Sequence, residues 1–158
     1  MKGNKTVVIF LIKFFGTYLL LFLLYSYYLD KTQNETSPFV CAPITKTVAE
    51  QTKYLLNIFG YPTEIAQDTE TLSMKLFING KFTDFIVEGC NAISIIILFI
   101  AFIVAFARKF KTTVLYILFG SLLIYFTNIL RIAVISVALH KYPQYQHVLH
   151  EIVFPSII

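Results

Sequence analysis

Charge is what this chain has least of. Only 14% of its 158 residues are Asp, Glu, Lys or Arg, against about a quarter in an ordinary soluble domain, and its mean hydropathy is +0.71. A soluble core of this length would interleave apolar and polar positions, whereas here apolar residues run unbroken over lengths that cross a bilayer. The sequence has no CxxC, which weakens a thiol oxidoreductase reading. It has no HExxH, no glycine-rich phosphate loop and no internal repeat. Acidic residues are also missing from two short segments. Lys2, Lys5 and Lys13 at the start, and Arg108, Lys109 and Lys111 between two apolar runs, stand without a single acid among them.

What is present is a set of apolar runs. The first spans about residues 7–29, too long and too aromatic for a cleaved signal peptide; the second spans about 91–107 and the third about 112–139. A further run opens at Ile152 and stops at Ile158, a span cut short or a brief membrane-dipping segment. The expected fold class is mainly α: a polytopic helical membrane bundle with a small extracytoplasmic cap. The expected division is an anchor over 1–29, a cap over 30–89 and membrane helices over 90–158, the last of them truncated. Both acid-free basic segments belong in the cytoplasm by the positive-inside rule, which leaves all nine acids outside. The net charge of +4 is therefore an orientation signal, and nothing in it calls for a nucleic acid.

Within the cap, Ile44, Val48, Leu55, Leu56 and Phe59 recur at helical spacing among polar residues, and Gly60 and Pro62 close the pattern. The runs 72–78 and 81–87 flank Asn79-Gly80, a turn that favours a β-hairpin. That hairpin leads to Cys90. Eighteen helical steps from Cys90 to Arg108 cover roughly 27 Å, and nineteen from Thr112 to Arg131 cover roughly 29 Å, so Cys90 and Arg131 both reach the outer membrane interface. The chain then turns through residues 140–147 and re-enters after His150.

A thiol, a guanidinium and an imidazole at one plane are the parts of a cysteine peptidase or transpeptidase. Each also has a plainer explanation. Arg131 stands in an apolar run, where a cation is costly unless it is paired, faces a wet cavity or snorkels to the interface. Cys90 serves equally as a small buried filler, although a helix N-terminus and a nearby cation would lower its thiol pKa. Asn128, one turn before Arg131, is placed to orient the guanidinium or to hold a substrate backbone. Among His140, His147 and His150, the last opens the final apolar segment and is the preferred base, with Glu88 and Glu151 either tuning it or simply solvated. His147 and His150 are spaced to share a metal, but no further ligand spacing accompanies them, and neither metal nor cofactor is expected. A bridge between Cys41 and Cys90 is open by compartment, with no spacing that fixes their separation.

The runs Glu88-Gly89-Cys90-Asn91-Ala92-Ile93-Ser94, Asn128-Ile129-Leu130-Arg131-Ile132 and His150-Glu151-Ile152-Val153-Phe154-Pro155 resemble the signature of the exosortase and archaeosortase transpeptidases, most nearly the exosortase F subfamily. The resemblance implies a multi-pass protein of the bacterial cytoplasmic membrane with its active site outside. It implies that Cys90 is the nucleophile, Arg131 the oxyanion stabiliser and His150 the general acid and base, with Asn128 and Glu88 contacting substrate. The partners it implies are the bilayer, secreted proteins carrying a C-terminal sorting tail with its own membrane helix, and an acceptor nucleophile. Two other readings remain open: a noncatalytic membrane partner in an export or surface-polymer system, docking through the cap, and a metal-dependent hydrolase using His147 and His150.

Overall fold

The computed structural model describes residues 2–33 and 38–143. Its elements, in chain order, are α1 (Lys2–Thr32), α2 (Pro43–Ile58), β1 (Thr63–Gln67), β2 (Ser73–Ile78), β3 (Lys81–Val87), a 3-10 turn (Glu88–Cys90), α3 (Ile93–Ala105) and α4 (Phe110–Lys141). The chain is a helical membrane protein with a small sheet. Both α1 and α4 are long and apolar enough to cross a membrane, and α3 is a shorter apolar helix. The apolar runs of the sequence thus become helices, because an unbroken apolar chain in lipid can satisfy its backbone only within the helix itself. The apolar segment from Ile152 lies outside the described residues.

The chain divides into two compact units. One comprises residues 1–31 and 92–126, that is α1, α3 and the first half of α4. Its contacts are apolar. Along α1, Phe10, Phe14, Tyr18 and Phe22 stack at i, i+4 spacing with centroids 6.1, 6.5 and 6.0 Å apart. Phe106, which caps α3, meets Phe10 at 4.8 Å and Phe102 at 4.9 Å. Gly120 of α4 lies directly against the Phe99 ring of α3, so that any Cβ there would overlap the ring.

The other unit, residues 32–91 and 127–158, holds the cap and the second half of α4. Its sheet is an antiparallel meander in the order β1-β2-β3. The expected hairpin is there, turning on Asn79 and Gly80 with φ of 53° and 72°, the left-handed pair that a two-residue hairpin turn requires; β1 adds a third strand. Helix α2 begins with Pro43 in its first turn and ends at Ile58; just beyond it Gly60, with φ of 81°, turns the chain so that Gly60 N–H reaches the Asn57 carbonyl and Tyr61 N–H the Leu56 carbonyl. Its buried stripe, Thr45, Val48, Ala49, Thr52 and Leu56, packs on the sheet, where Met74, Leu76, Ile78 and Ile86 are buried.

One irregularity decides what β3 presents. Phe77 pairs with Phe82 but Leu76 pairs with Asp84, so Thr83 is an extra residue in the ladder. Without it Asp84 would oppose Lys75 on the outer face. The bulge instead turns Asp84 and Ile86 inward and leaves Phe82, Phe85 and Val87 exposed.

Candidate functional site

The cap unit brings Cys90, Asn128, Arg131 and Asp84 together as its buried polar core. Their exposures are 2%, 5%, 9% and 3%, with Asn91 at 1%. Cys90 closes the 3-10 turn that follows β3, and the helix does not continue from it: Ala92, the N-cap of α3, is left-handed with φ 64°. That conformation is costly for a residue with a Cβ, and it separates Cys90 from the first turn of α3. The Cys90 carbonyl accepts a 2.5 Å hydrogen bond from Asn128 Nδ2, which fixes α4 to the turn. The Arg131 side chain, nearly one helical turn on, is a hydrogen-bond partner of the Cys90 thiol.

The thiol titrates opposite to expectation. Burial pushes Cys90 above its ordinary value and outweighs the three influences that lower it: a backbone hydrogen bond at Val87, the charge of Arg131 and the Arg131 hydrogen bond. The Asp84 carboxylate pushes in the same direction as burial. The dipole of α3 was expected to lower the value, but the break at Ala92 takes Cys90 out of that helix, and desolvation of a thiolate is the larger effect. Burial thus favours the protonated thiol at neutral pH.

Glu88 joins two elements of the cap. Its Oε1 accepts from the Ala42 N–H at 3.1 Å, at the positive end of α2, and its Oε2 accepts from the Asn91 amide at 3.0 Å. Asn91 also reaches Thr45 Oγ1 at 3.5 Å. The turn carrying Cys90 is thus clasped to the start of α2 on one side and to α4 on the other. The opposite end of the same stretch of α4 is tied down too, since His140 Nε2 lies 3.4 Å from Asn79 Nδ2 in the hairpin turn. His140 stands at the far end of β3 from Cys90. His147, His150 and Glu151 lie outside the described residues.

Cys41, the second cysteine, is a separate free thiol. Its sulfur donates to Gln67 Oε1 at 3.1 Å and its backbone N–H reaches the same oxygen at 3.4 Å. Burial and the Glu88 charge raise its pKa, and no arginine is among its influences. Of the two thiols, only Cys90 has a guanidinium beside it. Among the described residues no group of His, Cys, Asp and Glu is arranged to hold a metal ion.

Sequence reasoning missed Asp84 and Asn91. Asn91 was adjacent to the nucleophile candidate and is 1% exposed, but nothing in its neighbours marks an amide as a clasp. Asp84 reads as a solvated strand residue unless the bulge at Thr83 is known.

A model of the transmembrane exosortase (EpsH) family matches residues 5–153. The chain belongs to the transmembrane exosortase family. No curated protein and no solved structure matches it. The match takes in the described elements from α1 to α4. The family places the chain among membrane transpeptidases of protein sorting.

Proposed function

We propose that this exosortase cleaves the C-terminal sorting tail of secreted proteins at the outer face of the cytoplasmic membrane and passes them to an acceptor nucleophile. The observation that carries the reading is the buried Cys90 thiol with the Arg131 side chain as its hydrogen-bond partner. His150 takes the thiol proton as the sulfur attacks the peptide carbonyl; a C–S bond forms, and the carbonyl oxygen takes up negative charge. Arg131 stabilises that oxyanion, a role in which a preorganised cation in a dry site has far more effect than in water. The tetrahedral intermediate collapses to a thioester as the C–N bond breaks, and His150 returns the proton to the leaving amine. An amine, hydroxyl or water then attacks the thioester and releases the Cys90 thiol.

The raised thiol pKa supports a base-assisted attack over a resting thiolate. The distribution of charge supports the orientation, with the basic segments at 2–13 and 108–111 inside and the acidic cap outside. A substrate held by its own membrane helix meets the site at a fixed depth, so much of its positioning precedes any contact with the cap. The decisive experiment co-expresses the full chain with tail-bearing secreted proteins and weighs the products intact. Wild type should yield a truncated or conjugated product, and Cys90→Ala and His150→Ala should not. Equal processing by wild type and Cys90→Ala would leave the noncatalytic partner as the better account.

A further inference from the structure

Three charged side chains are buried among the described residues: Asp68, Asp84 and Arg131. Asp68 is accounted for by Lys75, whose Nζ lies 2.9 Å from Oδ1. Asp84 and Arg131 are the other two, of opposite sign and in the same unit, and both influence the Cys90 sulfur. A buried charge is tolerated where an opposite charge compensates it, and removing one member of such a pair is strongly unfavourable.

The topology of the cap unit favours their meeting. Asn128 ties α4 to the Cys90 turn, and His140 ties it to the hairpin turn. The stretch of α4 between them is roughly 18 Å long, and β3, running the other way between the same two turns, is roughly 20 Å. The α4 face that carries Asn128, Arg131, Ile132, Ile135, Ser136 and Leu139 is buried. Asp84 is midway along β3 and faces inward only because Thr83 bulges. One Asp84 oxygen accepts the Phe85 N–H at 2.8 Å, which fixes the carboxylate close to its own strand. A bulge that re-aims a side chain is a recurrent device beside active sites.

We propose that Asp84 is a positioning residue of this site: its carboxylate, turned inward by the β3 bulge, holds the Arg131 guanidinium in place against Cys90. The inference rests on the reading of Cys90 as the nucleophile and adds a residue that the thiol, guanidinium and imidazole scheme does not contain. The charged groups whose influence reaches the thiol are Arg131 from α4 and Asp84 from β3, and Glu88 stands on the same 3-10 turn as Cys90. Glu88 is engaged with Ala42 and Asn91, which leaves Asp84 as the carboxylate suited to hold the arginine.

The test is a double-mutant cycle on a reaction that needs no substrate. Full-length chain in lipid nanodiscs is alkylated with iodoacetamide across pH, and modification is assigned to Cys90 by peptide mass. Four proteins form the cycle: wild type, Asp84→Asn, Arg131→Met and the double variant. If Asp84 holds Arg131, the factor by which Asp84→Asn changes the Cys90 rate differs at least about fivefold between the wild-type background and the Arg131→Met background. Asp84→Glu, which keeps the charge, should stay within about twofold of wild type and serves if the Asn variant does not fold. Equal factors in both backgrounds overturn the proposal, as does an Asp84→Glu profile that matches Asp84→Asn. Since alkylation is read without tail-bearing substrate, loss of the pairing and loss of the transpeptidase reading give separate results.

Discussion

The two units of this protein are stabilised in different ways. In the unit of α1, α3 and the first half of α4, the contacts are between rings and small residues: the stacked aromatics of α1, Phe106 between Phe10 and Phe102, and Gly120 under Phe99. In the cap unit, buried polar groups are tied pairwise, with Glu88 to Ala42 and Asn91, Asn128 to the Cys90 carbonyl, and Arg131 to the Cys90 thiol. The first arrangement depends on volume and tolerates exchange of one apolar side chain for another. The second depends on where individual atoms stand, and a conservative substitution there breaks it. Chemistry needs the second kind of order, so the candidate site lies in the cap unit, while the apolar helices hold the chain in lipid.

This contrast can be broken at its strongest point by Arg131→Met. The substitution keeps much of the apolar length and removes the guanidinium, and it should lower tail processing about 10²–10³-fold, the range for loss of an oxyanion partner. It should also slow Cys90 alkylation at fixed pH, because Arg131 is one of the influences that lower the thiol pKa. Arg131→Lys should recover little of the processing, since an ammonium does not reproduce the planar fork, but part of the alkylation rate, since the charge that lowers the thiol pKa is kept.

A change in the other unit should do the reverse. Gly120→Leu forces a side chain into the Phe99 ring and should cost about 1–3 kcal/mol in thermal or denaturant unfolding. The pH profile of Cys90 alkylation should stay where it is. Movement of that profile would show that the spanning helices tune the thiol and that the contrast between the units is too sharp.

Smaller effects lie at the seam. Ala92 adopts φ 64° between Cys90 and α3, and Ala92→Gly should raise stability by about 1 kcal/mol by relieving the left-handed strain. Ala92→Val should lower it by more, because a β-branched side chain fits that region least. The smallest effect is expected in the cap away from the site. Asp68 is held at a pKa of about 2, first by the Thr71 hydroxyl and then by Lys75. Because the folded value lies below the unfolded one, near 3.9, this carboxylate stabilises the protein above pH about 4 and ceases to as pH falls to about 2. Thr71→Val should therefore lower the unfolding midpoint slightly at neutral pH, and the gap from wild type should close as the solution is acidified through that window.

Much of the fold was legible in the sequence because lipid imposes local rules. An apolar stretch in a membrane satisfies its own backbone as helix, so 7–29 and 112–139 read correctly as the cores of α1 and α4. Asn79-Gly80 fixed the hairpin because few residue pairs accept two positive φ values in succession. The run 91–107 was read as helix from too early a point, because hydropathy does not register the turn at Glu88–Cys90 or the left-handed Ala92. The third strand, Thr63–Gln67, was also missed: it is five residues long and carries only Ile65 and Ala66 as apolar residues.

The sequence by itself determined that the chain is a helical membrane protein and where its long apolar helices run; hydropathy and helical period are properties of neighbouring residues. Only the tertiary structure decided that Asp84 faces inward, that Glu88 clasps α2 to the turn, and that burial raises the Cys90 thiol above its ordinary value. Those depend on the register across the β2–β3 hairpin and on which atoms exclude water from one another, the latter set by residues as far apart as Ala42 and Glu88 or Cys90 and Asn128.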